Sequence, residues 1–173
     1  TVTLKSGATI TPSFILYAVG RIPEPIDSIE TIIGDACGQI QLAHYAIQQG
    51  MSFVSGKTTN LDKNLIPSVI YGEPEIAWVG LREQDCTDDC QKISLPITAL
   101  GKSWCDDATE GFIKIIAKND KILGAHIVSK EASALIQQIL IAMQNDVKIS
   151  KLKEVCFAHP TYSEGIFEAL FRL

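Results

Sequence analysis

The chain has 173 residues, a formal charge of −5, 46% hydrophobic residues and 20% charged residues, the balance of an ordinary globular protein. A chain of this length buries roughly 70% of its unfolded surface, enough for a proper core. The acidic balance and the scattered lysines exclude nucleic acid as a main partner, and no run of about 18 apolar residues is present to span a membrane as a helix.

Taken in order, residues 1–23 read as a small strand pair and a buried strand. "TVTL" and "ATI" meet at the turn dipeptide Ser6-Gly7. "FILYAVG" is an unbroken apolar run of the kind expected for a strand covered on both faces, and the two prolines of "RIPEPID" then stop regular structure. Residues 24–65 read strand, loop, helix. The run in "ETII" ends at Gly34-Asp35, and Leu42, Tyr45, Ala46 and Phe53 recur near helical spacing. "KTTNLDKNLIP" is a polar connector and the best boundary candidate.

Residues 66–173 form the largest section. "SVIYGEPEIAWVG" predicts two short strands around a Gly-Glu-Pro break. "EGFIKIIAK" and "KILGAHIVS", joined by Asn119-Asp120, predict a hairpin. A helix follows with Leu135, Ile136, Ile139, Leu140 and Met143 on one face, then a short helix at "SKLKEV" and a last one at "TYSEGIFEALF". Strands grouped before helices make this an α+β layer.

The five cysteines are odd in number and irregular in spacing, unlike a secreted disulfide framework. A reducing interior compartment is therefore expected, and "TVTLKSGATITPS", with neither a basic stretch nor an apolar core, is not expected to act as a secretory leader. Cys86 and Cys90, the one close pair, stand among acids that raise thiol pKa values, and they are expected to be simple free thiols. The chain lacks an initiator Met and is expected to be a piece of a longer protein.

The residues with most to say about chemistry lie in "FAHPTYSEG". Thr161 and Glu164 have the spacing of a capping box, with the Thr161 hydroxyl on the N–H of residue 164 and Glu164 reaching back. That reading leaves His159 unexplained. A residue before proline is held in extended or turn backbone, so the imidazole projects from a corner. Histidine is the residue type suited to shuttling protons near neutral pH, and a nearby carboxylate gives the arrangement of a base and its orienter. His44 and His126 read as structural, Trp78 and Trp104 as core or interface residues. No histidine has a ligand-spaced partner, so no metal is expected.

"VIYGEPEIAWVGL", "EGFIKIIAKNDKILGAHIV" and "FAHPTYSEG", in that order and spacing, closely resemble the C-terminal interface domain of the flavin-dependent disulfide reductases. The last motif is most similar to the members that oxidise dihydrolipoamide. "ILYAVGRIP" resembles the strand ending the family's nucleotide-binding portion, and "IIGDACGQIQLAH" its second flavin-binding signature. The resemblance implies an α+β dimerisation domain at residues 66–173, a mainly antiparallel sheet with helices, after remnants of the NAD-binding domain (1–23) and the FAD-binding domain (24–65).

It also implies roles. His159 is the expected acid/base toward the dihydrolipoamide thiol and Glu164 its holder; the His159–Pro160 bond is expected to be cis, with the His159 backbone against the partner subunit's flavin. Asp35 is expected on the flavin's ribityl hydroxyls, with Gly34 allowing close approach. Gln41, Leu42 and Ala43 present helix-start N–H groups toward the flavin ring. The complete protein is expected to use FAD and NAD, to form a homodimer, to serve a lipoyl domain of a 2-oxo acid dehydrogenase complex, and to reside in a bacterial cytoplasm or the mitochondrial matrix. Glutathione or mercuric reduction, and a stand-alone dimerisation module, are the alternatives.

The sequence departs from the family in three ways. It has no Gly-x-Gly-x-x-Gly for FAD or NAD and no redox cysteine pair of the family's kind. Only "EPIDSIET" separates "AVGRIP" from "IIGD", where the family has a longer connector. The chain by itself is therefore expected to be inactive.

Overall fold

A computed structural model describes residues 1–24, 26, 31–57, 61–86 and 89–173. Most of the connector "EPIDSIET" and the "TTN" of the polar boundary lie outside these residues. The described chain forms two compact units, Thr1–Met51 and Ser52–Leu173.

In the first unit, β1 (Val2–Thr3) pairs antiparallel with β2 (Thr9–Ile10). Gly7 turns the chain at φ +85°, a conformation that suits a residue without Cβ. The expected buried strand at "FILYAVG" is not formed. Residues 14–20 belong to no strand, and Phe14, Leu16 and Tyr17 are each more than 80% exposed. Apolar composition makes a strand only where neighbours take its N–H and C=O groups and layers cover its faces, and the described residues of this unit supply neither. "TII" is likewise not a strand. Gly34, at φ +68°, turns the chain at once into a 3₁₀ turn at Gly34–Cys37. Helix α1 (Ala43–Val54) follows, with Tyr45 fully buried on its inner face and Phe53 half exposed.

The second unit is α+β. Its five strands are β3 (Ser68–Ile70), β4 (Glu75–Gly80), β5 (Gln91–Pro96), β6 (Phe112–Lys118) and β7 (Lys121–Ser129). They lie in the order β3-β4-β7-β6-β5, every pairing antiparallel. The hairpin β6–β7 turns at Asn119 and Asp120, both with positive φ, as a two-residue turn matched to strand twist requires. Ala77, Ile127, Ile113 and Leu95 stand in one cross-strand row, all buried. The next row, Trp78, His126, Lys114 and Ser94, points to the opposite face because side chains alternate.

Helices cover the buried face. Helix α3 (Ala132–Gln144) packs Leu135, Ile136 and Ile139 over β4 and β7, with Leu140 and Met143 at the edge of the core. Helix α5 (Glu164–Phe171) lays Ile166, Ala169 and Leu170 over β5 and β6. Each such aliphatic side chain, once buried, contributes about 1.5–3 kcal/mol. The short α4 (Ile149–Leu152) starts where Asp120 accepts from the Ser150 N–H at 2.9 Å and the Ser150 hydroxyl at 2.7 Å.

Strand β5 and helix α2 (Gly101–Cys105) were not expected from the sequence. "QKISLP" shows one buried residue, Leu95, because an edge strand turns little of itself inward. Cys86 and Cys90 are joined by a disulfide rather than free. The electrostatic premise fails there, since Asp85 is paired with Arg82 at 2.7 Å and Asp89 with Lys118 at 2.7 Å. Cys37, Cys105 and Cys156 are free thiols. Trp104 is largely exposed, its indole N–H donating to the Thr98 carbonyl at 2.9 Å.

Two stability outcomes follow. Reducing Cys86–Cys90 releases a short loop, so the urea midpoint in dithiothreitol should fall by an amount equal to roughly 2 kcal/mol. Gly165→Ala should cost about 1–3 kcal/mol in the same measurement, because an added Cβ would overlap the Ile113 side chain and meet Leu100 at 3.0 Å.

Candidate functional site

The corner that carries His159 is built from local bonds. Residues 157–163 have no regular structure until α5 starts at Glu164. The His159–Pro160 peptide is cis, as the resemblance implied, and so is Glu73–Pro74. The capping box forms by half. Glu164 Oε2 accepts from the Thr161 N–H at 2.8 Å, but the Thr161 hydroxyl donates to the Ala158 carbonyl at 2.8 Å and leaves the helix uncapped. The N-cap position falls to Ser163, whose helical backbone keeps its side chain from capping.

The other oxygen of the same carboxylate meets the histidine: Glu164 Oε1 lies 2.8 Å from His159 Nδ1. Desolvation pushes the Glu164 carboxyl up, but the Thr161 N–H and then His159 outweigh it, and its pKa ends below the ordinary carboxylate range. Glu164 is therefore an acceptor at neutral pH, and beside it the neutral form of the ring has Nδ1 as the donor and Nε2 with its lone pair. The imidazole is 78% exposed while Glu164 is 24% exposed. The pair is a proton acceptor aimed outward, with its orienting anion behind it.

Two further ties fasten the corner, neither singled out by the sequence reading. Tyr162 is 1% exposed, and its hydroxyl lies 3.5 Å from Asp106 Oδ2. Gln138 on α3 donates to the Ser163 hydroxyl at 2.8 Å. The signal for Tyr162 was an aromatic residue inside the polar run Thr161-Tyr162-Ser163-Glu164.

The residues expected at a flavin lie in the first unit. Gly34 is buried, its N–H taken by Gln49 Oε1 at 2.8 Å, and a Cβ there would stand 3.3 Å from Ala46. Its role in this chain is close packing against α1. Asp35 is half exposed and 3.5 Å from Arg21; its carbonyl accepts from the Gln41 side chain at 3.5 Å. Leu42 accepts the first helical bond of α1, from Ala46, so the N–H groups ahead of Ala46 lie at a helix start, the positive end of the helix dipole. Arg21, Asp35 and Gln41 border a shallow cavity of about 410 Å³. An acceptor carboxylate beside helix-start donors is a donor set that fits a ribityl chain and an electron-rich ring.

His126 lies in β7, on the sheet face away from the helices. Its Nδ1 is buried with no hydrogen-bond partner among the described residues, and burial, then the Lys114 charge, pushes its pKa down. His44 is exposed on α1. Among the described residues no group of three or more His, Cys, Asp or Glu side chains could hold a metal ion, and no helix is long and apolar enough to cross a membrane.

Residues 66–170 match the dimerisation domain of the pyridine nucleotide-disulphide oxidoreductases. The chain belongs to this family of oxidoreductases, whose structural neighbours include flavoprotein disulfide reductases. Among curated relatives it is 37% identical over 145 residues to the mitochondrial dihydrolipoyl dehydrogenase of Pisum sativum, covering 79% of this chain and 29% of that protein. The Sus scrofa mitochondrial dihydrolipoyl dehydrogenase is 34% identical over 79% of this chain and 28% of its own length. A leghemoglobin reductase of Vigna unguiculata is 37% identical with coverage of 79% and 28%. The chain thus spans less than a third of the length of these curated relatives. LpdA from Mycobacterium tuberculosis superposes with a TM-score of 0.74 at 26% identity, over 81% of this chain and 32% of that one. The Cu(II) complex of a variant of RclA, a HOCl-induced flavoprotein disulfide reductase from Escherichia coli, gives 0.73 at 25% identity, with coverage of 82% and 34%.

The carboxylates set the acid side of the stability profile. The pKa of Glu164 is lowered, and so are those of Asp106, through Lys102 and Lys130, and Asp120, through Ser150. A carboxylate with a lowered folded pKa contributes stability above its unfolded pKa and loses it as pH falls through the folded value. Urea unfolding of the chain should therefore be flat above about pH 5 for these groups and decline below about pH 4, and Asp106→Asn should flatten part of that decline.

Proposed function

We propose that this chain is the C-terminal portion of a dihydrolipoamide dehydrogenase-like enzyme, in which it supplies the dimer interface and an acid/base pair that acts in the partner subunit. The complete enzyme oxidises protein-bound dihydrolipoamide and reduces NAD, as a homodimer serving a lipoyl domain of a 2-oxo acid dehydrogenase complex. The observation that carries this reading is the exposed His159 imidazole held from behind by Glu164.

The proton step follows from that geometry. His159 Nε2 takes the proton of a dihydrolipoamide thiol, leaving the thiolate that would attack the redox disulfide of the complete enzyme, forming a mixed disulfide and releasing a cysteine thiolate. The second lipoyl thiol then completes the exchange, and the reduced pair passes its electrons to FAD and on to NAD. The imidazolium that forms is stabilised by the Glu164 carboxylate on Nδ1 and later returns its proton to a departing thiolate. The outward aim of the ring supports action in trans, since a thiol must reach it from outside this protomer. A two-fold interface is self-complementary, so two chains complete two such sites. Exposed apolar side chains on the same unit, Trp104, Ile141, Val155 and Phe171, support association.

FAD, when bound, supplies the two-electron acceptor for this sulfur chemistry. Asp35, Gln41, Leu42 and Ala43 are the residues of this chain that would hold it, with Gly34 shaping their turn, and the His159–Pro160 backbone would face the flavin of the partner. A mitochondrial matrix or bacterial cytoplasmic setting agrees with the mitochondrial relatives.

The test is turnover of the complete enzyme with lipoamide. His159→Gln should lower kcat by about 10²–10⁴-fold, the usual worth of a positioned acid/base, and Glu164→Gln by less. Normal lipoamide turnover in His159→Gln would overturn the assignment. Preference for oxidised glutathione over lipoamide in the wild type would move the protein to another branch of the family.

A further inference from the structure

We propose that Tyr162, anchored on Asp106, is a positioning residue that holds the His159–Glu164 pair at its working geometry; this rests on the acid/base reading of His159. The local bonds of the corner tie it only to itself and to the first turn of α5. Thr161 bonds Ala158, and Glu164 bonds Thr161 and His159. Nothing in that set fixes the corner against the body of the domain.

Two side chains do so, on different terms. The Gln138–Ser163 bond is exposed, and a bond between neutral groups in water adds little net stability. Tyr162 is buried, and its hydroxyl faces Asp106 Oδ2 at 3.5 Å, longer than an ordinary O–H···O bond, so the charge of the acceptor rather than close contact supplies the attraction. Asp106 is itself fixed from two sides, by Lys102 of α2 at 2.8 Å and by Lys130, just before α3, at 3.2 Å. Its side chain is 16% exposed, so the lysines hold a partly desolvated anion that remains ionised. Burial raises the pKa of the phenol, with Asp106 adding to it, so Tyr162 stays protonated and can only donate to that anion.

The backbone of Tyr162 carries the consequence to the site. Its carbonyl accepts the Gly165 N–H at 3.0 Å, at the first turn of α5. The preceding N–H, that of Thr161, orients Glu164. A displaced Tyr162 therefore moves both the start of the helix that carries Glu164 and the donor that aims it. The His159–Glu164 bond is the one that loosens, and with it the preference for a proton on Nδ1.

The experiment is ¹⁵N NMR of the His159 ring in the 173-residue chain, which reads tautomer populations without any turnover. The wild type should hold the Nδ1–H tautomer. Tyr162→Phe should shift the ratio toward Nε2–H by about threefold or more, the scale of one lost hydrogen bond. Asp106→Asn should act in the same direction, and the double variant should be no worse than the larger single effect, because the two residues act as one unit. Gln138→Ala should leave the ratio unchanged.

A wild-type tautomer ratio in both Tyr162→Phe and Asp106→Asn, with lowered melting temperatures, would reduce the network to a structural support and overturn the proposal. The two readings fail separately. If His159→Gln retains lipoamide turnover while Tyr162→Phe shifts the tautomer, the functional reading falls and the positioning network stands.

Discussion

One carboxylate joins the helix, the corner and the imidazole. Glu164 accepts the Thr161 N–H with one oxygen and faces His159 Nδ1 with the other, both at 2.8 Å. The backbone bond fixes where the carboxylate is, so the second oxygen is already in place when the ring needs an acceptor. Side-chain entropy is lost once, on folding, and not again when a proton arrives. Desolvation alone would favour the protonated acid, a weaker acceptor for Nδ1–H with no charge to set against an imidazolium. The backbone donor reverses that balance.

The sheet and helices exist around this point as a set of distances. Helix α5 must begin where Glu164 can reach back, and its start is set by how closely it approaches β6 and the Leu100 side chain. Gly165 allows that approach, since any Cβ there meets Ile113 and Leu100. Ile113 in turn sits in the fully buried cross-strand row with Ile127 and Ala77. Interiors are packed at crystal-like density and deform little, so the position of an exposed proton acceptor is inherited from residues that never contact a substrate.

The second unit was largely legible in the sequence because its signals are local. Asn119-Asp120 between alternating runs specifies a hairpin, and the apolar face of α3 repeats at helical spacing. The His159–Glu164 pairing was legible from spacing combined with the proline corner and the family resemblance. What escaped depends on neighbours. "FILYAVG" has strand composition but no partners among the described residues of its unit, so it stays open. β5 lacks an inward pattern because it is an edge. The Thr161 hydroxyl is oriented by donating its O–H to the Ala158 carbonyl, a local side-chain-to-backbone bond, rather than by capping the helix. Cys86 and Cys90 stand among acids, yet Arg82 pairs with Asp85 and Lys118 with Asp89, the latter a contact that no linear reading supplies. Tyr162 and Asp106 are 56 residues apart, beyond any local pattern.

On the proposed function, the openness of the pair becomes a requirement for assembly. An imidazole that is 78% exposed exchanges protons with water as readily as with a thiol, and its carboxylate partner is screened. Proton transfer to a chosen sulfur gains from a site that water leaves. This unit does not enclose His159, so on that reading the cover comes from outside the unit, and the matched domain is one whose family role is dimerisation. Association and acid/base chemistry then share one cause: the surface that a second chain buries is the surface that turns an exposed His–Glu pair into an enclosed one. A rigid mount matters more under that arrangement, because a ring that must meet a partner's substrate has no means of adjusting the distance from within its own protomer.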